Sequence, residues 1–271
     1  MIRLSNIANI IEKDWYEVSK SKYILYSLVG LPLILGILLP YSIMGAIVRA
    51  GSQGNQGNLA STLEKALGFS TSQWTGLTDL QKSIIIMSYL SDLLFLIIPL
   101  MVPIVIAADS IAGEKSRKSF EALLATPLTN SEILIGKIGL PLILGMVGTI
   151  IGLVPYLAVV YYITSSYISF TYIININFIL MLVFLTPTAG LLSSVVMVFI
   201  SSRVSNPRDA QQMGSLVVLP VLVLFLGQIV LILFSTLTIV VGAGLLILID
   251  VVLLKFSINA FSRENIMTKF S

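Results

Sequence analysis

Long stretches of apolar sequence dominate this chain and restrict the structures that it can form. Of its 271 residues, 56% are hydrophobic and only 11% are charged, whereas ordinary soluble domains carry roughly 25% charged residues. The mean hydropathy of the whole chain is +0.99, so too little polar sequence remains to cover a globule. The bilayer must be the solvent for most of the surface, and we expect an all-α integral membrane protein.

Six segments are long enough to cross a membrane, which requires about 20 mostly apolar residues. Pro141 and Pro155 lie inside the third segment and predict a bend there. The last two segments come from one apolar block with a turn near residue 235, and five spans plus a re-entrant segment are the alternative. We interpret residues 1–271 as a single transmembrane domain. The predicted spans are residues 23–48, 83–108, 133–163, 174–200, 213–234 and 237–256.

Residues 1–22 predict an amphipathic helix that lies in the membrane plane. Its apolar residues recur at helical spacing, with Trp15 placed at the level of the lipid headgroups. An ordinary soluble amphipathic helix is the alternative. The segment carries too many charges for a cleaved signal peptide, so we expect it to remain attached to the first span.

The basic residues are distributed unevenly between the two sides of the predicted spans. Thirteen of the 16 Lys and Arg residues fall on the side that holds both termini and the loops after spans two and four. The other three are Arg49, Lys65 and Lys82, all in the first loop. Lys and Arg are enriched in cytoplasmic loops. We therefore predict a multi-pass protein of the cell (plasma) membrane with both termini in the cytoplasm.

The segment between spans two and three, residues 109–131, is the most informative polar stretch. Pro127 predicts the end of a short helix there, and Thr129 or Asn130 would cap the third span. A short charged helix between two spans would dock on a cytoplasmic partner and pass its motion to the spans; a solvated loop is the alternative. The apolar face of that helix, at i, i+3 and i+4, is formed by Phe120, Leu123 and Leu124.

This stretch resembles the coupling-helix region of the ABC-2 family, the permeases of type-2 ATP-binding-cassette exporters. The family pattern is approximately Asp-x-Ile-Ala-Gly-Glu, a charged run, Glu-x-Leu-Leu and Thr-Pro, followed by a Glu and a Gly-Lys. The chain departs from it at Ser119, where Thr is commoner, but a hydroxyl is retained. The matching positions are Asp109, Ile111, Ala112, Gly113, Glu114, Glu121, Leu123, Leu124, Thr126, Pro127, Glu132, Gly136 and Lys137.

The resemblance implies the transmembrane subunit of an ATP-driven transporter, which in similar proteins is usually an exporter. It further implies that two permease copies, or two homologous permeases, pair as a dimer, and that each engages an ATPase subunit through this coupling-helix loop. A second, smaller contact would involve Arg203 and Arg208. The residues implied to contact the ATPase are Glu114, Lys115, Arg117, Lys118, Phe120, Glu121, Leu124, Thr126 and Pro127.

The composition excludes several kinds of site. The chain has no His and no Cys, so it has no Ser-His-Asp or Cys-His nucleophile and no imidazole or thiolate zinc site. The pair Gly136-Lys137 lacks the other residues of a phosphate-binding Walker A loop. We therefore expect no catalytic residue, metal site or cofactor in this chain, with ATP and Mg²⁺ held by the partner ATPase. The expected surroundings are the lipid bilayer, and we expect no nucleic acid partner.

Two carboxylates inside predicted spans support the alternative functions. An isolated charge at the bilayer centre costs about 3 kcal/mol on insertion scales, so Asp92 either lines a translocation path or is held by hydrogen bonds. Asp250 lies near the end of the last span, where pairing with an interfacial cation is expected. A secondary transporter that uses Asp92 and Asp250 is the first alternative, and an intramembrane enzyme is the second. Neither explains the motif in residues 109–137.

Overall fold

The computed structural model describes residues 3–52, 76–216 and 236–260. Within these ranges the chain is helical and contains no strand, as predicted. The fifth predicted segment, residues 213–234, lies outside the described residues beyond position 216. The five segments long and apolar enough to cross a membrane are Lys22–Ala50, Asp79–Ser116, Asn130–Thr164, Ile176–Ser201 and Ile239–Ile258.

The N-terminal part consists of two helices that meet at an extended residue. Helix α1 spans Leu4–Lys20 and helix α2 spans Lys22–Ser52, with Ser21 between them. The buried residues of α1 recur every four positions, which gives this helix one inward-facing side, and they are Ile10, Asp14 and Val18. The helix predicted for this segment is therefore present, and its buried side faces the rest of the bundle.

The next helices continue well past the predicted end of span two at residue 108. Helix α3 spans Asp79–Phe95 and α4 spans Ile97–Ser116, so the first part of the predicted loop 109–131 is helical. Helix α4 ends where Lys118 adopts a positive φ of 58°, a conformation that stops a right-handed helix. The short helix α5, Phe120–Leu124, follows directly.

The remaining chain forms two long segments and a separate C-terminal helix. Helix α6 begins with a capping box, in which Thr129 and Glu132 each bond the backbone of the other. A 3₁₀ turn at Phe170–Tyr172 follows it, and a π-helical stretch at Met181–Leu185 joins α7 to α8. The helices are α6 (Asn130–Thr164), α7 (Ile176–Leu180), α8 (Thr186–Ser201), α9 (residues 207–216) and α10 (Thr236–Ala260).

Helices α2 and α6 cross at glycines. A Cβ at Gly36 would lie 2.4 Å from the Gly152 carbonyl oxygen, and one at Gly152 would lie 3.0 Å from the Pro32 carbonyl oxygen. Gly148 also faces α2, with the Leu28 carbonyl oxygen 3.5 Å from its ideal Cβ. Small residues allow helices to approach closely, so the Gly148–Gly152 pair joins two helices of the same chain.

One end of the bundle collects α1, α5, α9, the end of α4 and the start of α6, and we call it the α5 end. A hydrophobic cluster there draws residues from all of these helices and from α8, and it buries Phe120 to 1% exposure. A larger cluster fills the rest of the bundle. The α5 end is therefore a packed unit in its own right, and it carries the charged residues described next.

Candidate functional site

Charged side chains from three helices meet at the α5 end. The Lys137 ammonium of α6 lies 2.8 Å from an Asp14 oxygen of α1 and 2.8 Å from a Glu114 oxygen of α4. Lys137 and Glu114 are fully buried, and Asp14 is almost so. The Ser110 backbone carbonyl accepts a further hydrogen bond from Lys137 at 3.0 Å. One buried cation thus holds two buried carboxylates from different helices.

A second lysine balances the charge of this group. The Lys13 ammonium donates a hydrogen bond to the same Glu114 oxygen and lies 3.2 Å from Glu17. Burial lowers the pKa of Lys13, but the hydrogen bond and charge of Glu114 outweigh this and leave the pKa above its ordinary value. Burial raises the pKa of Asp14, and the Lys137 ammonium opposes that rise. We call Lys13, Asp14, Glu114 and Lys137 the Lys137 cluster.

Pairing explains how these charges are accommodated away from water. An isolated buried charge costs several kcal/mol, and the penalty is offset only by an opposite charge and hydrogen bonds in good geometry. Two ammonium groups and two carboxylates make the Lys137 cluster neutral overall. Three helices must hold their positions for these contacts to form, so the cluster joins α1, α4 and α6.

A second joint fixes the beginning of α1. The Glu132 carboxylate accepts hydrogen bonds from the Arg3 backbone N–H at 2.8 Å and from the Asn6 side-chain amide at 3.0 Å. Its other oxygen accepts from the Thr129 backbone N–H at 2.8 Å. Glu132 therefore caps α6 and binds the start of α1 with the same carboxylate.

An exposed basic turn lies directly outside the Lys137 cluster, at residues 116–119. The Arg117 guanidinium lies 3.1 Å from Glu17 and 3.2 Å from Asp109, which links the turn to α1 and α4. Its neighbour Lys118 is exposed. The Ser119 backbone N–H donates to the Glu114 carbonyl at 2.9 Å and closes the turn. We call residues 116–119 the basic turn.

The residues implied to contact an ATPase differ in how exposed their side chains are. Arg117, Lys118 and Pro127 are exposed, whereas Lys115 and Thr126 are half-buried. Glu114 and Phe120 are inside the protein, because one belongs to the Lys137 cluster and the other to the hydrophobic cluster of the α5 end. Their side chains hold the basic turn and α5 in place instead of forming a contact surface. The side chains of Glu121 and Leu124 lie outside what the structure describes.

The loop after α8 lies beside the basic turn. The Lys115 ammonium donates to the Ser202 carbonyl at 2.5 Å, and the Ser201 hydroxyl bridges the backbone of Ala108 and Ala112. Arg203 stacks 4.6 Å from the centre of the Phe199 ring. These contacts bring both predicted cytoplasmic contact regions to the same end. The second residue of the smaller contact, Arg208, is exposed at the start of α9.

The sequence interpretation missed the contribution of α1 to this site. Asp14 lies four residues after Ile10 and four before Val18, so it occupies the middle of the buried side of its helix. A carboxylate on the apolar side of a helix predicts a buried partner, because a buried charge needs an opposite charge or hydrogen bonds. The sequence of α1 contains this pattern at Asp14. That partner is Lys137, whose place in the Gly-Lys motif was recognised for its pattern alone.

The membrane carboxylates have fewer partners. Asp92, on α3, is 3% exposed and accepts a hydrogen bond from the Tyr156 hydroxyl of α6. Asp250, on α10, is 1% exposed, and neither of its oxygens has a hydrogen-bond partner among the described residues. No hydrogen bond or ion pair joins the two carboxylates within the described ranges. In the same ranges, no group of three or more Asp or Glu residues is placed to hold a metal ion.

The comparison with known families covers nearly all of this architecture. A family model described as ABC-2 family transporter protein matches residues 8–261. No curated protein matches the chain. The matched range includes most of α1, the five candidate spans, the Lys137 cluster and the basic turn.

Proposed function

The chain belongs to the ABC-2 family of transporters, and on that premise we propose that it receives the motion of a separate ATPase through the basic turn. The family makes it a membrane subunit of an ABC transporter. We propose further that the assembled transporter is an exporter driven by ATP, with ATP and Mg²⁺ bound on the ATPase chain. The observation that carries the proposal is that the basic turn follows directly on α4, whose end is joined to α1 and α6 through the Lys137 cluster.

The chemistry of the basic turn favours an acidic or polar partner surface. Arg117 and Lys118 present two positive charges, and Pro127 is exposed after the short helix α5. The carboxylates of Glu17 and Asp109 fix the direction of the Arg117 guanidinium. Complementary charges across an interface provide orientation and specificity more than raw affinity. A docking ATPase would therefore bind the turn in one defined orientation, with its acidic or polar groups facing Arg117 and Lys118.

The Lys137 cluster supports the transmission of motion. A displacement of the basic turn acts directly on the end of α4, and the shared Lys137 ammonium links that end to α1 and α6. Packed elements move as rigid bodies, because an interface of this kind is not continuously deformable. The three helices would therefore shift together, and α4 and α6 belong to segments long enough to cross the membrane.

The orientation and assembly are part of the same proposal. The bias of Lys and Arg toward one side supports placing the α5 end and both termini in the cytoplasm of the cell that carries the protein in its plasma membrane. Because the resemblance to ABC-2 permeases implies a dimer, we propose that two copies or two homologous permeases pair. The Arg203–Arg208 region, next to the basic turn, would form the smaller ATPase contact.

Charge reversal of the basic turn tests this proposal. The full chain would be co-expressed with a candidate ABC ATPase subunit from the same organism, purified and placed in lipid nanodiscs. We expect Arg117→Glu with Lys118→Glu to weaken association with the ATPase by about tenfold or more, equivalent to about 1.4 kcal/mol. Transport-coupled ATP hydrolysis should fall with it, while membrane insertion stays normal.

A matched control uses two other exposed lysines with the same change of charge. Lys20→Glu with Lys22→Glu lies at the junction of α1 and α2, away from the basic turn. This pair should leave ATPase association and turnover near the wild-type level. Equal effects of the two pairs, or no effect of the basic-turn pair, would contradict docking at residues 116–119.

A further inference from the structure

An open cavity of about 520 Å³ lies at the end of the bundle opposite the α5 end. Its walls are the last turns of α2, the end of α6 and the turn that follows α6. Its volume falls in the range of small-molecule sites, about 300–1,000 Å³. The polar residues that line it are Tyr41, Arg49, Tyr162, Ser165, Ser166 and Tyr167.

The position of the cavity along the helices places it at a membrane surface. Helix α2 begins beside α1 at the α5 end, and the apolar segment that it contributes ends at Ala50. The segment formed by α6 begins at the capping box and ends at Thr164. Both candidate spans therefore end beside the cavity, at the level of the headgroups of the leaflet away from the basic turn.

Exposed tyrosines surround this cavity. Tyr162 is 82% exposed and Tyr41 is 52% exposed. Tyrosine is enriched at membrane–water interfaces, where its ring meets the lipid and its hydroxyl meets water and headgroups. The hydroxyls of these tyrosines and of Ser165 and Ser166 offer several hydrogen-bond donors around one cavity.

Arg49 supplies the positive charge. Its Nη2 atom lies 3.7 Å from the ideal Cβ position of Gly45, one helical turn earlier, so the guanidinium folds back along α2 at the cavity wall. Among the described residues that line the cavity, none is acidic. Arg49 also interacts with other groups of the chain, but a guanidinium carries five N–H donors and serves more than one acceptor.

We propose that this cavity binds the phosphate headgroup of an anionic phospholipid from the leaflet opposite the basic turn. A guanidinium recognises phosphate oxygens with paired hydrogen bonds, and the surrounding hydroxyls donate to the remaining oxygens. Val48 and Ile163, which also line the cavity, provide an apolar wall for the glycerol and first methylene groups. The bound lipid would join the ends of α2 and α6. This inference is independent of ATPase docking.

Lipid titration of the purified full chain tests the site. Delipidated protein would be titrated with phosphatidylglycerol and, separately, with phosphatidylcholine, and bound lipid would be counted by native mass spectrometry. The wild-type chain should retain phosphatidylglycerol in preference to phosphatidylcholine. Arg49→Gln should weaken phosphatidylglycerol binding about tenfold, the loss expected for one charged contact. Tyr162→Phe should weaken it severalfold, and its exposed position makes the variant safe for folding.

The control is Arg203→Gln, which removes an exposed arginine at the α5 end and should leave phosphatidylglycerol binding unchanged. Equal losses for Arg49→Gln and Arg203→Gln would overturn the site, because binding would then follow net charge alone. Equal retention of phosphatidylglycerol and phosphatidylcholine by the wild-type chain would also overturn it. Displacement of the lipid by inorganic phosphate at similar concentration would overturn the assignment to a lipid headgroup.

Discussion

Two groups of buried carboxylates in this protein differ in the partners that they contact. At the α5 end, Asp14 and Glu114 each have the Lys137 ammonium at 2.8 Å. Within the spans, Asp92 accepts a hydrogen bond from Tyr156, whereas Asp250 has no hydrogen-bond partner in residues 3–52, 76–216 and 236–260. No cation lies within ion-pair distance of either membrane carboxylate in the part of the chain that the structure describes.

The Lys137 cluster therefore connects helices, whereas Asp92 and Asp250 are isolated polar groups. The Lys137 cluster depends on three helices at once, and loss of Lys137 removes the cation that two buried carboxylates on different helices share. Among the helices that the structure describes, Asp92 joins two through one hydrogen bond, and Asp250 joins none. We therefore expect loss of Lys137, the cation at the centre of the Lys137 cluster, to cost far more stability than substitutions of the membrane carboxylates and their partners.

The largest effect is expected for Lys137→Met. This change removes the cation shared by Asp14 and Glu114 and leaves both carboxylates buried, so the free energy of unfolding should fall by about 3–5 kcal/mol. Thermal unfolding of the purified wild-type and variant chains in nanodiscs measures this loss of stability. The matched control, Lys118→Met, alters an exposed lysine of the basic turn. Similar unfolding temperatures for the two variants would show that the cluster is not a structural joint.

A smaller loss is expected for Tyr156→Phe. The substitution removes only the hydroxyl that donates to Asp92 and leaves a buried acceptor without its partner, at a cost of about 1–3 kcal/mol. The same unfolding measurement applies, and Tyr26→Phe is the control because Tyr26 is 74% exposed. A loss as large as that of Lys137→Met would place Asp92 in the same class as the Lys137 cluster.

Asp250→Leu should act in the opposite direction. An unpartnered buried carboxylate is unfavourable, so an apolar side chain of similar length should raise the free energy of unfolding by about 1 kcal/mol. The measurement compares the unfolding temperatures of the variant and the wild-type chain, and we expect the variant to unfold at the higher temperature. Marked destabilisation would mean that Asp250 binds a cation or another polar group during the transport cycle, as a secondary transporter would require.

The smallest change in stability is expected for Arg117→Gln. Exposed ion pairs contribute about 0–1 kcal/mol, and the Arg117 side chain is 48% exposed. The unfolding temperature should therefore stay close to that of the wild-type chain even though Arg117 contacts two carboxylates. A loss comparable to that of Lys137→Met would contradict the distinction between the exposed basic turn and the buried cluster beneath it.

The sequence predicted the membrane class, the helical fold and, through residues 109–137, the family. The capping alternatives were resolved in favour of Thr129, whose side chain accepts from the Glu132 backbone N–H. Local patterns were sufficient for these features, because apolar runs and caps depend on residues close together in the chain. The α5 helix was recognised from the spacing of its apolar residues for the same reason.

The roles of Glu114 and Phe120 were not predictable in the same way. Hydropathy predicts the end of the second span at residue 108, but α4 continues to Ser116. The charged residue Glu114 is buried in this continuation because it pairs with Lys137 of α6. Phe120 is buried by residues from several helices. The pairing of Asp14 with Lys137 joins positions 123 residues apart, a contact that no local pattern shows.

A double-mutant cycle between Asp14 and Lys137 tests the central claim most directly. The free energy of unfolding would be measured for the wild-type chain, Asp14→Asn, Lys137→Met and the double variant, all in nanodiscs of the same lipid. Residues in one ion-pair network show coupling energies of about 0.5–3 kcal/mol, and we expect about 2 kcal/mol here. Additive effects of the two substitutions, with coupling below about 0.5 kcal/mol, would contradict a joint between α1 and α6.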